Sequence, residues 1–260
     1  MVYLVNNSMD VEIKKEIKQR YGKIALSGNS DCCCMPGECQ SGDSPIDATK
    51  ILGYDKDELE QIPQDAILGV GCGAPLKFTD LTEGETVVDL GSGAGIDVFL
   101  SANKVSKSGR VIGIDMTDEM LEKARRNARD GNYTNVDFRK GDIEEHIPVD
   151  DNTVDAVISN CVINLTSDKT RAFRQVHRIL KNGGRMVISD LVTDKEIKAE
   201  YADSEQWCRC IDGALTRENY IQSMREAGFE KIEVLQEQTY MDEKQAGGRK
   251  ITSLIIKATK

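Results

Sequence analysis

The stretch Thr86-Val-Val-Asp89-Leu90-Gly91-Ser92-Gly93-Ala-Gly95 decides the reading of this chain. Five residues with strand character run straight into a loop in which every second residue is glycine. A helical pattern follows. Glycines at that junction allow a tight turn and let a ligand approach the backbone closely. The next strand, Val111–Ile114, ends at Asp115, where a carboxylate can accept both hydroxyls of a ribose. A Gly-rich loop alone is weak evidence, because glycines also serve plain turns. Strand, loop and acidic strand end together indicate a nucleotide site.

The nucleotide is read from charge. Loops for dinucleotides present amides and a helix N-terminus to a pyrophosphate. Here Asp89 lies two residues before Gly91, and its carboxylate would repel phosphate. S-adenosylmethionine has no phosphate and carries an ammonium and a sulfonium, so an acidic loop suits it. The third glycine also follows the second by two residues rather than three. After the third strand comes Gly141-Asp142-Ile143. Asp142 can accept from the adenine amino group and Ile143 can cover the ring; a plain turn role for Asp142 competes with this. Ser92 in the loop, Met116 after Asp115, and Asn160 after the fourth strand are assigned to the same pocket.

Outward from the loop, short apolar runs alternate with helical patterns. Val136–Phe138, Val154–Ile158 and Arg185–Ser189 read as further strands. Thr117 reads as an N-cap, with Asp118 and Glu119 in the first turn. A helix carrying Ala172, Phe173, Val176, Ile179 and Leu180 on one face is expected to stop at Asn182-Gly183-Gly184. Such alternation predicts a doubly wound parallel sheet with helices on both faces. Residues 81–192 form this expected S-adenosylmethionine-binding domain.

Residues 1–80 read as an N-terminal extension covering the site. A helix at about 10–25 places Val11, Ile17, Tyr21 and Ile24 at helical spacing. A Cys/Gly/Pro/Ser-rich loop follows from Ser27 to Pro45, and Gly69-Val-Gly-Cys72-Gly leads to Pro75. Residues 193–260 hold a helical insertion around Trp207, a helix over Glu218–Glu226, and two strands near Ile232–Glu237 and Ile251–Lys257 that read as a terminal hairpin.

Composition narrows the partners. The formal net charge of −10, with no Lys/Arg-rich block, disfavours nucleic acid and anionic membrane surfaces. No apolar run approaches the roughly 20 residues needed to span a bilayer. The first residues, MVYLVNNSMDVEIKK, are too polar and acidic for a secretory signal, so a cytoplasmic protein is expected. A chain of 260 residues buries a core large enough to need no structural metal.

Eight cysteines accompany two histidines. In a reducing compartment that ratio suggests metal binding, redox work or catalysis. Cys161 stands in Ser159-Asn-Cys-Val-Ile-Asn-Leu165, beyond the fourth strand, where ligands bind in open α/β sheets. Cys72 lies in the segment upstream, and Cys210 in Cys210-Ile-Asp-Gly213-Ala-Leu215. For each of the three, a buried packing role is the competing reading.

Asp89-x-Gly91-x-Gly93-x-Gly95 resembles the first motif of class I methyltransferases, which implies a Rossmann-like, seven-stranded, mostly parallel sheet with one antiparallel strand. The three cysteine contexts, with Tyr21-Gly22-Lys23, resemble arsenite methyltransferases over nearly the whole chain. That resemblance implies Cys72, Cys161 and Cys210 as thiolate ligands of trivalent arsenic, a soft centre that prefers sulfur. It also implies that cysteine pairs return oxidised arsenic to the trivalent state, with thioredoxin or glutathione as reductant. Cys32, Cys33 and Cys34, with Cys39 nearby, are candidates for the redox partner; the triple run leaves the register open. Cys208 departs from the family pattern. Zinc binding by the N-terminal cysteines is disfavoured, since no pair of CxxC motifs and no histidine lies there. Two other readings compete: a methyltransferase for a quinone, sterol or amine, and a non-catalytic thiol-based metalloid-binding protein.

Overall fold

The computed structural model describes residues 7–27, 44–198 and 201–260; of residues 7–9 only the backbone is described. Seven strands form one sheet in the order β3-β2-β1-β4-β5-β7-β6. They are β1 (Thr86–Leu90), β2 (Arg110–Asp115), β3 (Val136–Lys140), β4 (Val154–Asn160), β5 (Leu180–Thr193), β6 (Lys231–Met241) and β7 (Ile251–Thr259). β1 to β5 pair in parallel, and β7 runs antiparallel between β5 and β6. Every strand expected from the sequence is present, and the C-terminal hairpin with it.

The helices are α1 (Asn7–Ser27), α2 (Pro45–Ile51), α3 (Lys56–Leu59), α4 (Ile96–Val105), α5 (Asp118–Asp130), α6 (Lys169–Ile179), α7 (Ser204–Cys208) and α8 (Arg217–Glu226). Alternate residues of β1 feed opposite faces of the sheet. Val88 and Leu90 pack with Phe173 and Val176 of α6 and Tyr220 and Met224 of α8. Val87 packs on the other face with Phe99 of α4, Leu121 of α5, and Leu59 and Leu76 from the N-terminal region. The central strands are buried on both sides, which explains their unbroken apolar character.

Of three local expectations, two are corrected. Val11 is 69 % exposed, whereas Ile13, Ile17 and Ile24 are buried; the docking face of α1 therefore runs through Ile13. Thr117 stands at the N-cap of α5, as expected, but makes no side-chain cap bond. Its hydroxyl as well as its amide, the latter at 2.8 Å from Oδ1, bonds the Asp115 carboxylate. Helix α6 ends at Ile179, and Leu180 already opens β5. Gly183 is left-handed, at φ +79°, but it serves an excursion within β5: between Leu180 and Arg185 the pairing with β4 shifts register. Among the described residues, no helix is long and apolar enough to cross a membrane.

Candidate active site

One cavity opens beyond the C-terminal ends of β1, β2 and β4. It is roofed by Lys14, Ile17 and Tyr21 of α1 and walled by Gly91, Asp115, Asp142, Ile143, Asn160 and Cys161. This is where an open parallel sheet binds its ligands.

The loop after β1 forms its floor. Gly91, Gly93 and Gly95 have φ of +66°, +52° and +103°, in the region that side chains disfavour. A Cβ on Gly91 would also lie 2.8 Å from Val162 Cγ1. Asp115 braces the loop, accepting from the Gly93 amide at 2.9 Å through one oxygen and from Thr117 through the other. Burial raises its pKa, and those amides oppose the rise.

Asp89 and Asp97 are each 3 % exposed. Burial, then the charges of Asp97 and Asp115, push the Asp89 carboxyl well above the usual range. Burial also raises Asp97, against a hydrogen bond from Tyr54, whose hydroxyl lies 2.9 and 3.0 Å from the two Asp97 oxygens. Two buried carboxylates in one pocket require a cation or a shared proton. A ligand carrying an ammonium and a sulfonium meets that requirement; a pyrophosphate does not. Ser92 Oγ is buried without a partner among the described residues, set against Gly113 of β2. The residues present therefore fit S-adenosylmethionine.

Asn160 connects this pocket to the first cysteine. Its Nδ2 donates to Tyr54 Oη at 3.0 Å and to the Gly73 carbonyl at 2.6 Å. Its Oδ1 accepts from the Cys72 amide at 3.0 Å. The expected cofactor residue thus also fixes the segment Gly71–Gly73.

The cysteines gather at the same end of the sheet. Cys72 and Cys161 are joined as a disulfide, with Cα atoms 5.9 Å apart. Cys210, a buried thiol outside the disulfide, donates from Sγ to the Cys161 carbonyl at 3.0 Å. All three belong to one packed cluster with Leu191, Ile211 and Ala214. Gly213 lets its loop press on the next segment, since a Cβ there would run into the Asn164 carbonyl. Trp207 anchors the insertion, buried with Nε1 donating to the Leu165 carbonyl at 3.1 Å. Cys208 is buried beside it. Cys32, Cys33, Cys34 and Cys39 lie outside the described residues.

Several polar residues of this region were not among the site residues expected from the sequence. Asp190 is 2 % exposed, and its carboxylate lies within 4.8 Å of both Cys72 and Cys161 sulfurs. It accepts from Tyr220 Oη and the Asn164 amide, both at 3.0 Å. Burial pushes its pKa up to about 6, against the Leu191 amide and the Lys169 charge. Lys169 is itself buried 5.9 Å from the Trp207 ring centroid, and burial lowers its pKa. The rule that picked out Asp89 and Asp115, an acidic residue at a strand's carboxyl end, applies equally to Asp190. Asp97 follows the last glycine of the loop by two residues. Tyr54 and Lys14 carry no local signal at all.

Comparison with known proteins agrees with this geometry. A methyltransferase-domain family model matches residues 81–228. An arsenite methyltransferase of Halobacterium salinarum is 42 % identical, over 86 % of this chain and 59 % of its own length. The arsenite methyltransferase of Rattus norvegicus is 30 % identical, over 85 % of this chain and 60 % of its own length. This chain thus spans about three fifths of those relatives. The crystal structure of an arsenic(III) S-adenosylmethionine methyltransferase from Chlamydomonas reinhardtii superposes with a TM-score of 0.65 at 30 % identity, covering 85 % of this chain and 75 % of that one. The chain belongs to the arsenite methyltransferase family and is built on its methyltransferase domain.

Proposed function

We propose that this protein transfers methyl groups from S-adenosylmethionine to trivalent arsenic held by the thiolates of Cys72, Cys161 and Cys210. The observation that carries the reading is the meeting of three cysteines, from three separate segments, beside a pocket built for a cationic nucleotide.

Asp89 would receive the ammonium of the cofactor, Asp115 the ribose hydroxyls and Asp142 the adenine amino group, and Ile143 would cover the ring. What the cofactor supplies there is an electrophilic methyl group on a sulfonium, open to in-line attack by the arsenic lone pair. No general base is needed, which suits the two histidines' positions: His177 packs edge-on against Phe229, and His146 lies in the loop after β3. The protein's work is orientation, and for well-aligned groups that supplies much of an acceleration. The Cys72–Cys161 bond must be reduced before both sulfurs can serve as ligands. Thioredoxin or glutathione is the expected reductant, with the N-terminal cysteines as relay and arsenic detoxification as the outcome.

The test is incubation of the protein with methyl-labelled donor, arsenite and a thiol reductant, followed by separation of arsenic species. Labelled methylarsenicals support the proposal. Arsenite binding without methyl turnover would assign the protein to metalloid sequestration instead.

A further inference from the structure

Helix α1 brings a lysine into the cofactor pocket from outside the matched residues 81–228. Lys14 Nζ lies 2.9 Å from Asp142 Oδ2, 3.2 Å from Glu144 Oε2 and 3.3 Å from Asp10 Oδ2. One ammonium thus gathers three carboxylates. Burial alone would lower the Lys14 pKa, but the Asp142 hydrogen bond and the Glu144 charge raise it.

The three carboxylates are not equally fixed. The Glu144 side chain is 3 % exposed, and its Oε1 accepts from Ser167 Oγ at 2.7 Å and from the Asp168 amide at 2.6 Å. It cannot turn away. The Asp142 side chain is 25 % exposed, and among the described residues it accepts, apart from the ammonium, only the Glu144 amide, at 2.9 Å through Oδ1. Without Lys14, like charge on Glu144 would drive Asp142 outward, because a nearby carboxylate disfavours a second one and water is within reach.

We propose that Lys14 sets the specificity of the pocket for the 6-amino group of adenine, by pinning the Asp142 carboxylate where it accepts from that group. The proposal rests on the cofactor reading above. It makes the nucleotide site incomplete in the sheet domain alone, since α1 supplies the residue that orients the adenine acceptor.

The experiment compares S-adenosylhomocysteine with its 6-deamino purine analogue by calorimetric titration of the full chain. The wild type is expected to prefer the adenine ligand by roughly tenfold to a hundredfold, the worth of one hydrogen bond to a charged acceptor. In Lys14→Met and Lys14→Gln the preference collapses to about threefold or less, as it does in Asp142→Asn, because little of that bond then survives. Lys14→Arg keeps the charge and the preference. An unchanged ratio in Lys14→Met, with both ligands weakened equally, overturns the proposal alone and leaves Lys14 a latch for α1. Absence of S-adenosylhomocysteine binding in the wild type overturns the cofactor reading as well.

Discussion

The Cys210 thiol donates to the Cys161 carbonyl at 3.0 Å, across 49 positions of sequence. That bond ties the insertion after β5 to the segment after β4. Cys161 also bonds to Cys72, so it is the hub of the three.

If the three sulfurs act as one ligand set, removing any of them breaks the set. Cys161→Ser, Cys72→Ser and Cys210→Ser should each lower arsenic methylation by roughly a hundredfold or more, because a hydroxyl is a poor ligand for a soft centre. Binding of S-adenosylhomocysteine should stay within a factor of a few. Arsenic speciation and calorimetry check the two halves separately, and full methylation by Cys161→Ser would sink the ligand assignment.

Oxidation state should gate arsenic binding. Protein isolated with the Cys72–Cys161 bond intact should bind arsenite weakly. A phosphine reductant, which does not itself offer sulfur to arsenic, should restore one arsenic per chain. Arsenic-to-protein ratios after gel filtration report the change; equal occupancy before and after reduction would contradict it.

Cofactor binding should release a proton. Burial raises the carboxyls of both Asp89 and Asp97 in the free protein, the charges of Asp97 and Asp115 raise Asp89 further, and a cationic ligand stabilises the charged forms. Affinity should therefore improve as pH rises, by up to about tenfold per unit, and level off once the pair is ionised. The same shifts act on folding in the opposite sense. A carboxyl raised in the folded state adds stability below its unfolded pKa, which is lost as pH rises through the folded value. Calorimetry in buffers of different ionisation enthalpy measures the proton directly, and Asp89→Asn should reduce the release.

Asn160 makes three hydrogen bonds that no aliphatic side chain can replace. Asn160→Ala should cost about 2 kcal/mol of stability through unpaired buried groups. Because it frees the Cys72 segment as well, methylation should fall further than cofactor affinity does. Thermal unfolding and a kcat-against-KM comparison distinguish this from a pure cofactor defect.

The sheet was legible because parallel strands buried on both faces announce themselves as apolar runs, and the glycines after β1 mark the ligand end. Helix ends were less so. Asn182-Gly183-Gly184 has a stop signal's composition, but pairing with β4 claims Leu180 first. Thr117 does hold the N-cap of α5, but its hydroxyl is engaged by Asp115 rather than by the helix amides. Of the residues that line or flank the cavity, Asp89, Asp115, Cys72, Cys161 and Cys210 stand in local motifs. Tyr54, 43 positions from Asp97, and Lys14, far from Asp142 in sequence, act only through contacts made by folding.

Cys161 and Cys210 both hold left-handed backbone, at φ +56° and +64°, a conformation that costs a side-chain-bearing residue on the order of 1 kcal/mol or more. Glycine at either position would relieve that cost. At Cys161 it would also remove the bond to Cys72, worth on the order of 2–4 kcal/mol, and at Cys210 a buried thiol that holds the Cys161 carbonyl. In the reduced protein the disulfide contribution vanishes while the backbone cost stays. The same Cys161→Gly substitution should therefore lower thermal stability strongly under oxidising conditions and much less under reducing ones, so a thermal ranking of variants at this position has meaning only at a stated redox poise.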